Sequence, residues 1–302
     1  MTPNHDGPPH GGEDRRDEMF LIAGATGNTG STVADQLLTA GRKVRVLVRS
    51  EDKGAAFAKR GAEVAVGELG DVAALTRALD GVEAAYLLTP PNMAAEDFFA
   101  DRARLNDRMA EAVKASGVPR VVYLSSVGAQ LESGTGPILS VRDGDAKLAA
   151  TGTRLTALRP AYFAENWGMV AATVKSDAVL PTFLSPEVRP SMVSTQDIGR
   201  VAAELLLDPE APRVVELAGP VDLGAAEVAA AFSEVIGRPV TVAYAPIEQV
   251  VPMFASLGMP AVGPLYRDLY AAVNDGRLVF EKPEAVRRGT VGIAEVARKL
   301  LG

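Results

Sequence analysis

The stretch MFLIAGATGNTG, residues 19–30, decides the fold. Five apolar residues lead directly into a glycine-rich turn, and the following segment has apolar side chains at helical spacing. In a parallel α/β fold, glycines in such a turn allow a tight bend, close approach of the backbone to a diphosphate, and close packing of helix on strand. We therefore predict a strand, a dinucleotide phosphate loop with contacts from Gly24, Gly27 and Gly30, and a helix. The alternative is an ordinary glycine-rich turn.

The same alternation of apolar runs and helical segments continues to about residue 160, which is the pattern of βαβ units. The predicted strands are 19–23, 43–48, 62–66, 83–88, 119–125 and 154–158. The predicted helices are 28–41, 52–60, 71–81, 94–116 and 143–151. Most of these strands are too uniformly apolar for a sheet with one wet face. The predicted fold class is α/β, a Rossmann-type doubly wound parallel sheet with helices on both faces and a smaller C-terminal substrate lobe.

The chain divides into three predicted regions. Residues 1–18 are rich in Pro, Gly and charge and are expected to be a disordered tail. Residues 19–160 form the dinucleotide-binding Rossmann domain. Beyond Pro160, proline and glycine become dense and the strands become shorter, so residues 161–302 are expected to build mostly the smaller substrate-binding lobe, interleaved with the first domain.

Composition limits the chemistry of the folded part. The 302 residues include no cysteine, and both histidines, His5 and His10, lie in the predicted tail. Thiolate nucleophiles, histidine bases and histidine or cysteine metal sites are therefore not expected, and no metal is predicted. A net charge of −7 gives no basic surface for nucleic acid. No apolar run reaches the roughly 18–20 residues of a membrane span, and we predict a soluble, cytoplasmic protein.

The end of the second predicted strand indicates which dinucleotide is bound. Arg49 follows the run KVRVLV, with Ser50 and Lys53 just beyond it. This strand tip faces the adenosine ribose, where an acidic residue accepts from a free 2′-hydroxyl and a basic one pairs with a 2′-phosphate. Because a guanidinium donates two parallel hydrogen bonds to phosphate, NADP(H) is favoured over NAD(H). The alternative is a solvent-exposed cation at a strand end.

Several segments carry a family resemblance: GATGNTG, VRVLVRS, GELGD (67–71), YLLTPP (86–91), GVPRVVYLSSVGA (117–129) and LRPAYFAENW (158–167). In order and spacing they resemble the NmrA-like proteins, atypical members of the short-chain dehydrogenase/reductase superfamily. The resemblance implies contacts with the pyrophosphate from Thr26, Asn28 and Thr29, with the adenine from Glu68 and Leu69, and with the nicotinamide-side ribose from Thr89 and Pro90. It also implies that Tyr162, Phe163 and Asn166 approach the nicotinamide. In this family the position of Glu68 is more often aspartate.

The usual catalytic pair of short-chain dehydrogenases, Tyr-x-x-x-Lys, is absent. None of the six tyrosines is followed by lysine four residues later. NmrA-like proteins that catalyse reduction often carry histidine or lysine at the equivalent helix position, which here is Val141. Lys147 lies six residues further, so it points elsewhere on a helix of 3.6 residues per turn.

Three catalytic candidates remain. Ser125 ends the fifth predicted strand, where its hydroxyl can orient a carbonyl or the cofactor ribose. Asp145, one helical turn beyond Val141, can reach the same place, or it can be a cap or dipole partner at a helix N-terminus. Tyr162 can donate a proton or form an aromatic wall against the nicotinamide.

A set of mostly apolar residues in the second half suits a flat, apolar substrate, or it forms lobe core. The substrate-binding candidates are Phe163, Asn166, Trp167, Met253, Phe254 and Tyr266. The apolar residues around Pro252–Pro264 suggest a mobile cover over the substrate site.

Three functions fit these features. An NADPH-dependent reductase of a small apolar acceptor (quinone, enone, imine or ketone) is favoured over a non-catalytic NADP(H) redox sensor and over a non-redox catalyst on the same fold. Reduction of quinones, enones and imines depends less on a proton donor from the protein than reduction of a simple ketone does. We expect a small-molecule substrate, no nucleic acid or membrane partner, and a monomer or homodimer.

Overall fold

The computed structural model describes residues 17–302. Of the predicted tail, residues 1–16 lie outside the described range, while Asp17 forms an ion pair with Lys43 (2.8 Å). None of the helices within residues 17–302 combines the length and the apolar character needed to cross a membrane.

The strands of the described chain are β1 (Met19–Ala23), β2 (Lys43–Val48), β3 (Glu63–Val66), β4 (Ala84–Leu88), β5 (Arg120–Leu124), β6 (Arg154–Pro160), β7 (Tyr162–Phe163), β8 (Val179–Thr182), β9 (Met192–Val193), β10 (Val214–Ala218), β11 (Thr241–Tyr244) and β12 (Arg287–Arg288). Eight of them form one parallel sheet in the order β12-β10-β6-β5-β4-β1-β2-β3. The direction of winding reverses between β1 and β4, and a crevice for ligands opens at such a point along the carboxyl edge.

The helices are α1 (Asn28–Thr39), α2 (Glu51–Ala58), α3 (Val72–Leu79), α4 (Phe98–Ser116), α5 (Ile138–Ala149), α6 (Ala171–Asp177), α7 (Thr195–Leu207), α8 (Ala225–Ile236), α9 (Val250–Ser256), α10 (Gly263–Asn274) and α11 (Ile293–Leu301). Side chains of α1, α2 and α7 cover one face of the sheet, whereas α3, α4 and α5 pack on the other. Alternate strand residues such as Phe20 and Leu21 enter the two opposite cores, which explains why these strands are apolar throughout.

The second half of the chain builds a smaller lobe and also returns to the main sheet. The lobe has its own core, in which α8 and α11 pack together with Trp167 and Leu180. Two small parallel sheets, β7–β9 and β8–β11, belong to this half. Because β10 and β12 extend the main sheet beyond β6, the two halves of the chain interleave.

The largest difference from the predicted elements is at α5. The helix was expected from residue 143, but it begins at Ile138 after Pro137. Asp145 therefore lies in the middle of the helix, and its interpretation as a helix N-terminal cap is wrong. Glycines at 134, 136 and 144 obscured the helical pattern in the sequence. Gly144 nevertheless lies inside the helix.

Candidate functional site

The glycine loop leaves the first turn of α1 open. Gly24 has a φ of +63°, which favours glycine, and the Gly27 N–H donates to the Gly24 carbonyl (2.8 Å). Gly27 caps α1 without any side-chain hydrogen bond. Thr26, Gly27 and Asn28 are exposed. The backbone N–H groups and positive dipole end of the helix are thus presented at the carboxyl edge, where they can bind phosphate.

The helix lies directly on this loop at Gly30. A Cβ on Gly30 would lie 2.3 Å from the Gly24 carbonyl oxygen, so only glycine fits. The neighbouring Thr29 is buried, and its Oγ1 accepts a hydrogen bond from the Tyr86 hydroxyl (2.9 Å). Burial raises the pKa of Tyr86 well above its usual range, which keeps this donor protonated. The hydrogen bond from Tyr86 thus holds the Thr29 hydroxyl, while the Thr29 backbone N–H lies in the first turn of α1.

Two cations lie at the tip of β2, next to β1. Arg49 is exposed and forms no ion pair with the described residues. Ser50 is the N-cap of α2, and the hydrogen bond from its side chain lowers the pKa of Asp52. Lys53 is exposed in the first turn of the same helix. The tip of β2 thus has an exposed guanidinium, without an ion pair to residues 17–302, and an exposed ammonium, both available for an anion.

The remaining residues predicted to contact the cofactor follow β3 and β4. After β3, Glu68 is exposed and Leu69 is half-buried. After β4, Pro90 is exposed and its carbonyl accepts from Arg102 of α4. Thr89 is buried and belongs to a polar network. All four residues lie at the carboxyl edge.

The network around Thr89 joins β4, β5, α4 and α5. Thr89 Oγ1 donates to Asn106 Oδ1 (2.6 Å) and hydrogen-bonds to the Tyr123 hydroxyl (2.6 Å). Asn106 Nδ2 donates to the Ser140 carbonyl and to Asp143 Oδ2, both at 2.9 Å. Since these atoms are buried and mutually satisfied, the network rigidly positions the end of β4.

Tyr123 makes its closest approach to α5 at Gly144. We expect Gly144→Ala to destabilise the protein by about 1–3 kcal/mol, the usual cost of overpacking. The new Cβ would lie 2.2 Å from the Tyr123 hydroxyl oxygen and 2.7 Å from Cζ. Alanine otherwise favours a helix interior by roughly 0.5–1 kcal/mol over glycine, so the sign of the change is diagnostic. Denaturant unfolding measures it.

The double variant Gly144→Ala/Tyr123→Phe serves as the control, because it removes the hydroxyl that the new methyl group meets. The destabilisation caused by Gly144→Ala should be smaller in the Tyr123→Phe background. A stabilising Gly144→Ala change would contradict the steric explanation.

The structure brings two of the three catalytic candidates together. Ser125 Oγ, at the end of β5, donates to Asp145 Oδ2 of α5 (2.7 Å). Arg159 Nη2 of β6 lies 3.8 Å from the same oxygen, and its Nη1 donates to Glu281 (2.6 Å). Burial raises the pKa of Asp145 to about 6, against the opposing effects of the Ser125 hydrogen bond and the positive charges of Arg159 and Arg142. Asp145 is therefore a carboxyl group that changes protonation near neutrality.

Tyr162, the third candidate, lies in β7, which directly follows β6 and pairs with β9. Its hydroxyl is hydrogen-bonded to Tyr270 and Asn166. Burial, and then the neighbouring Tyr270, raise the pKa of Tyr162 well above its usual range, so it carries its proton at neutral pH. Phe163 packs against the core shared by α1 and α7.

The predicted substrate residues separate into core and cover. Trp167 is buried in the core of the smaller lobe, with its Nε1 donating to Met192 Sδ (3.4 Å). Phe254 of α9 is buried and stacks on Tyr266 of α10 (centroids 4.7 Å apart), with Met253 packed beside them. The Tyr266 hydroxyl lies 3.6 Å from Met93 Sδ in the β4–α4 loop. Helices α9 and α10 thus cover the end of β4.

The glycine loop, the open β2 tip and the lobe over the carboxyl edge agree with a match to a known family. The model of the NmrA-like family matches residues 16–270. The chain belongs to the NmrA-like family. The resemblance predicted from the sequence motifs is therefore confirmed.

The chain is also similar to an individual relative and to solved structures. The chain is 29% identical over 257 residues to an NAD(P)H azoreductase of Xenophilus azovorans, covering 84% of this chain and 86% of the relative. It resembles the crystal structure of an NADPH-dependent quinone oxidoreductase of Escherichia coli complexed with NADPH (TM-score 0.78, 24% identity, 94% and 100% of the two chains). It also resembles a Citrobacter sp. triphenylmethane reductase complexed with NADP(H) (TM-score 0.78, 18% identity, 94% and 100%). The predicted Rossmann-type fold is confirmed.

Several residues that support the candidate site of this NmrA-like protein were not predicted from the sequence. Tyr86 orients Thr29, while Arg102 and Asn106 hold the end of β4. One signal was available, because Arg102, Asn106, Met109 and Val113 share the helical spacing of the buried face of α4. Polar residues on an otherwise apolar helix face indicate a buried polar network.

Proposed function

We propose that this NmrA-like protein is an NADPH-dependent reductase of a small apolar acceptor, such as a quinone, an enone, an imine or a ketone. The observation that carries the proposal is the N-terminus of α1, whose cap Gly27 makes no side-chain hydrogen bond, beside the exposed Arg49 at the end of β2, which has no ion pair within the described part of the chain. A diphosphate and a 2′-phosphate are the groups that these two neighbouring positions fit.

The residues present fit NADPH. Gly27 is exposed at the start of α1, and the missing Cβ of Gly30 lets the helix lie directly on the loop. Arg49 and Lys53 supply charge for the 2′-phosphate. We assign Thr26 and Asn28 to the pyrophosphate, together with the backbone of Thr29. Further contacts are assigned to Ser50 and to the residues after β3, β4 and β6: Glu68, Leu69, Thr89, Pro90, Ser125, Tyr162 and Phe163. When bound, NADPH supplies the hydride, and the protein orients the acceptor and excludes water.

The acceptor class follows from the cover and from the relatives. The helices α9 and α10 bring Phe254, Met253 and Tyr266 over the carboxyl edge, which suits an apolar molecule. The names of the related proteins specify azo compounds, quinones and triphenylmethane dyes as acceptors. Planar conjugated molecules of this kind are therefore the proposed substrate class. We assign Asn166 to the polar end of the substrate. We assign Trp167 to the core of the smaller lobe behind the substrate.

Tyr162 is the proposed hydrogen-bond donor to the acceptor. Its hydroxyl stays protonated and is held by Asn166 and Tyr270. We expect Tyr162→Phe to lower kcat about 10-fold, because one hydrogen bond to the acceptor is lost, with a smaller effect on the NADPH Kd. Tyr244→Phe, at an exposed tyrosine of β11, is the control. Full activity of Tyr162→Phe would assign Tyr162 to packing.

One assay tests the function itself. NADPH and NADH are titrated by fluorescence, and NADPH oxidation is then followed with 1,4-naphthoquinone, an azo dye, an α,β-unsaturated ketone and a cyclic imine. Turnover of at least one acceptor is expected. Tight binding of NADPH without turnover of any acceptor would instead favour a redox sensor, and no dinucleotide binding would contradict the proposal.

The proposal includes a cytoplasmic location and a free small-molecule substrate, without nucleic acid or membrane. A chain with no cysteine is compatible with a reducing compartment. We propose that the protein is a monomer or a homodimer. Size-exclusion chromatography with light scattering determines this oligomeric state.

A further inference from the structure

A groove runs along α5 on the side that faces β6 and β10. Its volume is about 910 Å³, and its walls come from α5, from β6 and from the residues at the start of β10. Both polar and apolar side chains line it. Ala146 and Ala157 lie in it together with Arg142 and the exposed Glu132 at its rim. The groove is therefore open to solvent and partly polar.

Asp145 and Arg159 line this groove from the inside. The Asp145 side chain is only 14% exposed, and that of Arg159 11%. Oδ2 of Asp145 accepts from Ser125, whereas its buried Oδ1 has no hydrogen-bond partner among the described residues, and neither has Arg159 Nε. Buried polar atoms normally have a partner, so these two are exceptions in the wall of the groove.

Ser125 connects this end of the groove to the carboxyl edge. It follows β5 directly, and Leu88 of β4 is paired with Leu124, so Ser125 lies beside Thr89. On its other side Ser125 N–H donates to the Leu158 carbonyl of β6, the strand that leads into Tyr162 (2.8 Å). Ser125 is thus located between the two positions assigned to the nicotinamide ribose and to the acceptor.

We propose that Ser125 and Asp145 form a proton relay that carries protons from the groove beside α5 to the acceptor at the carboxyl edge. This inference rests on the proposed reductase function and goes beyond it, since it gives the reaction a proton route from the side of the sheet opposite α1 and α7.

The relay balances the reduction. The acceptor gains a hydride from NADPH, and its oxygen or nitrogen then takes the proton of the Ser125 hydroxyl. Ser125 Oγ regains a proton from the Asp145 carboxyl at Oδ2. The resulting carboxylate is reprotonated at the same oxygen by water of the groove, which the partly exposed Asp145 side chain lines. Bulk solvent thus provides one proton per turnover, and both relay residues return to their starting state.

Charged and hydroxyl groups from each neighbouring element surround Asp145. Arg142 belongs to α5 itself, Tyr123 and Ser125 to β5, and Arg159 to β6. Beyond Arg159 lies Glu281, whose backbone N–H donates to Glu216 of β10. Asp143, on the same helix, is paired with Lys147 (3.0 Å). Burial outweighs these charges and raises the pKa of Asp145 to about 6, so both protonation states are populated near neutrality.

The pH profile of kcat tests the relay, with the acceptor that shows the highest kcat/KM in the panel above. A donor must be protonated, so the wild-type rate should fall as the pH rises through about 6. In Asp145→Asn and Ser125→Ala, kcat should be at least about tenfold lower and this fall should disappear. The Ser125→Thr variant keeps a hydroxyl and should restore most of the rate.

Glu132→Gln is the matched control, because this carboxylate lines the same groove but its side chain is 87% exposed. It should keep the wild-type profile. A wild-type rate and profile in Asp145→Asn would overturn the relay while leaving the reductase intact. A rate that falls only in parallel with thermal stability and NADPH affinity, with the pH profile unchanged, would also overturn it. Absence of turnover in the wild type would instead refute the proposed function.

Discussion

Gly30→Ala is expected to weaken NADPH binding about 10-fold to 100-fold and to destabilise the protein by about 1–3 kcal/mol. The added Cβ would lie 2.3 Å from the Gly24 carbonyl oxygen and 2.6 Å from its carbon, and both are backbone atoms. Either α1 or the loop must therefore move, and the N–H groups assigned to the pyrophosphate move with them. Because alanine otherwise favours a helix, a loss of stability reports the collision rather than propensity.

The measurement combines isothermal titration with NADPH and denaturant unfolding. Gly292→Ala is the matched control, since Gly292 begins α11 with extended backbone and nothing within 4 Å of its added Cβ. Because alanine is a poorer N-cap than glycine, a loss of about 0.5–1 kcal/mol is expected there, with NADPH affinity unchanged. Wild-type NADPH affinity in Gly30→Ala would show that the loop does not hold the pyrophosphate.

Arg49→Asp is expected to weaken NADPH binding about 10-fold to 100-fold and to leave NADH binding nearly unchanged. Each hydrogen bond between charged groups contributes about 1.5–3 kcal/mol, and a tenfold change in affinity corresponds to about 1.4 kcal/mol. The 2′-phosphate that Arg49 is proposed to bind is absent from NADH. The ratio of the two dissociation constants measures the effect without depending on the overall stability of the variant.

Lys59→Asp makes the same change in charge at an exposed position just after the last residue of α2, away from the β2 tip. It should affect NADPH only through long-range electrostatics, which 0.1–0.15 M salt largely screens. An equal loss of NADPH and NADH affinity in Arg49→Asp would remove Arg49 from the 2′-phosphate site.

The elements with a strong local pattern were predictable. β1 and β2 have the predicted bounds, and α1 begins at the predicted residue, because apolar periodicity and glycine punctuation act within a few residues. The start of α5 was missed by five residues, since its first turn follows Gly134, Gly136 and Pro137. Packing against the sheet stabilises that turn despite its weak local pattern.

The relative positions of the candidate site residues were predictable where those residues follow strand ends directly. Gly24, Gly27, Gly30 and Arg49 are adjacent to strand ends, and the carboxyl ends of parallel strands share one edge, so their proximity follows from the order of elements. Asp145 was a candidate, but its partners were not predictable. Its contact with Ser125 joins residues 20 positions apart, and Arg159 approaches from a third element.

By itself the sequence determined the βαβ order, the glycine loop, the cation at the β2 tip and the absence of the Tyr-x-x-x-Lys pair, because each is a property of spacing along the chain. The tertiary structure decided the buried links from Thr29 to Tyr86 and from Thr89 to Asn106, the groove beside α5, and the protonation of Asp145. These depend on burial and on contacts between distant segments. Burial raises the cost of ionisation, and no pattern along the chain measures it.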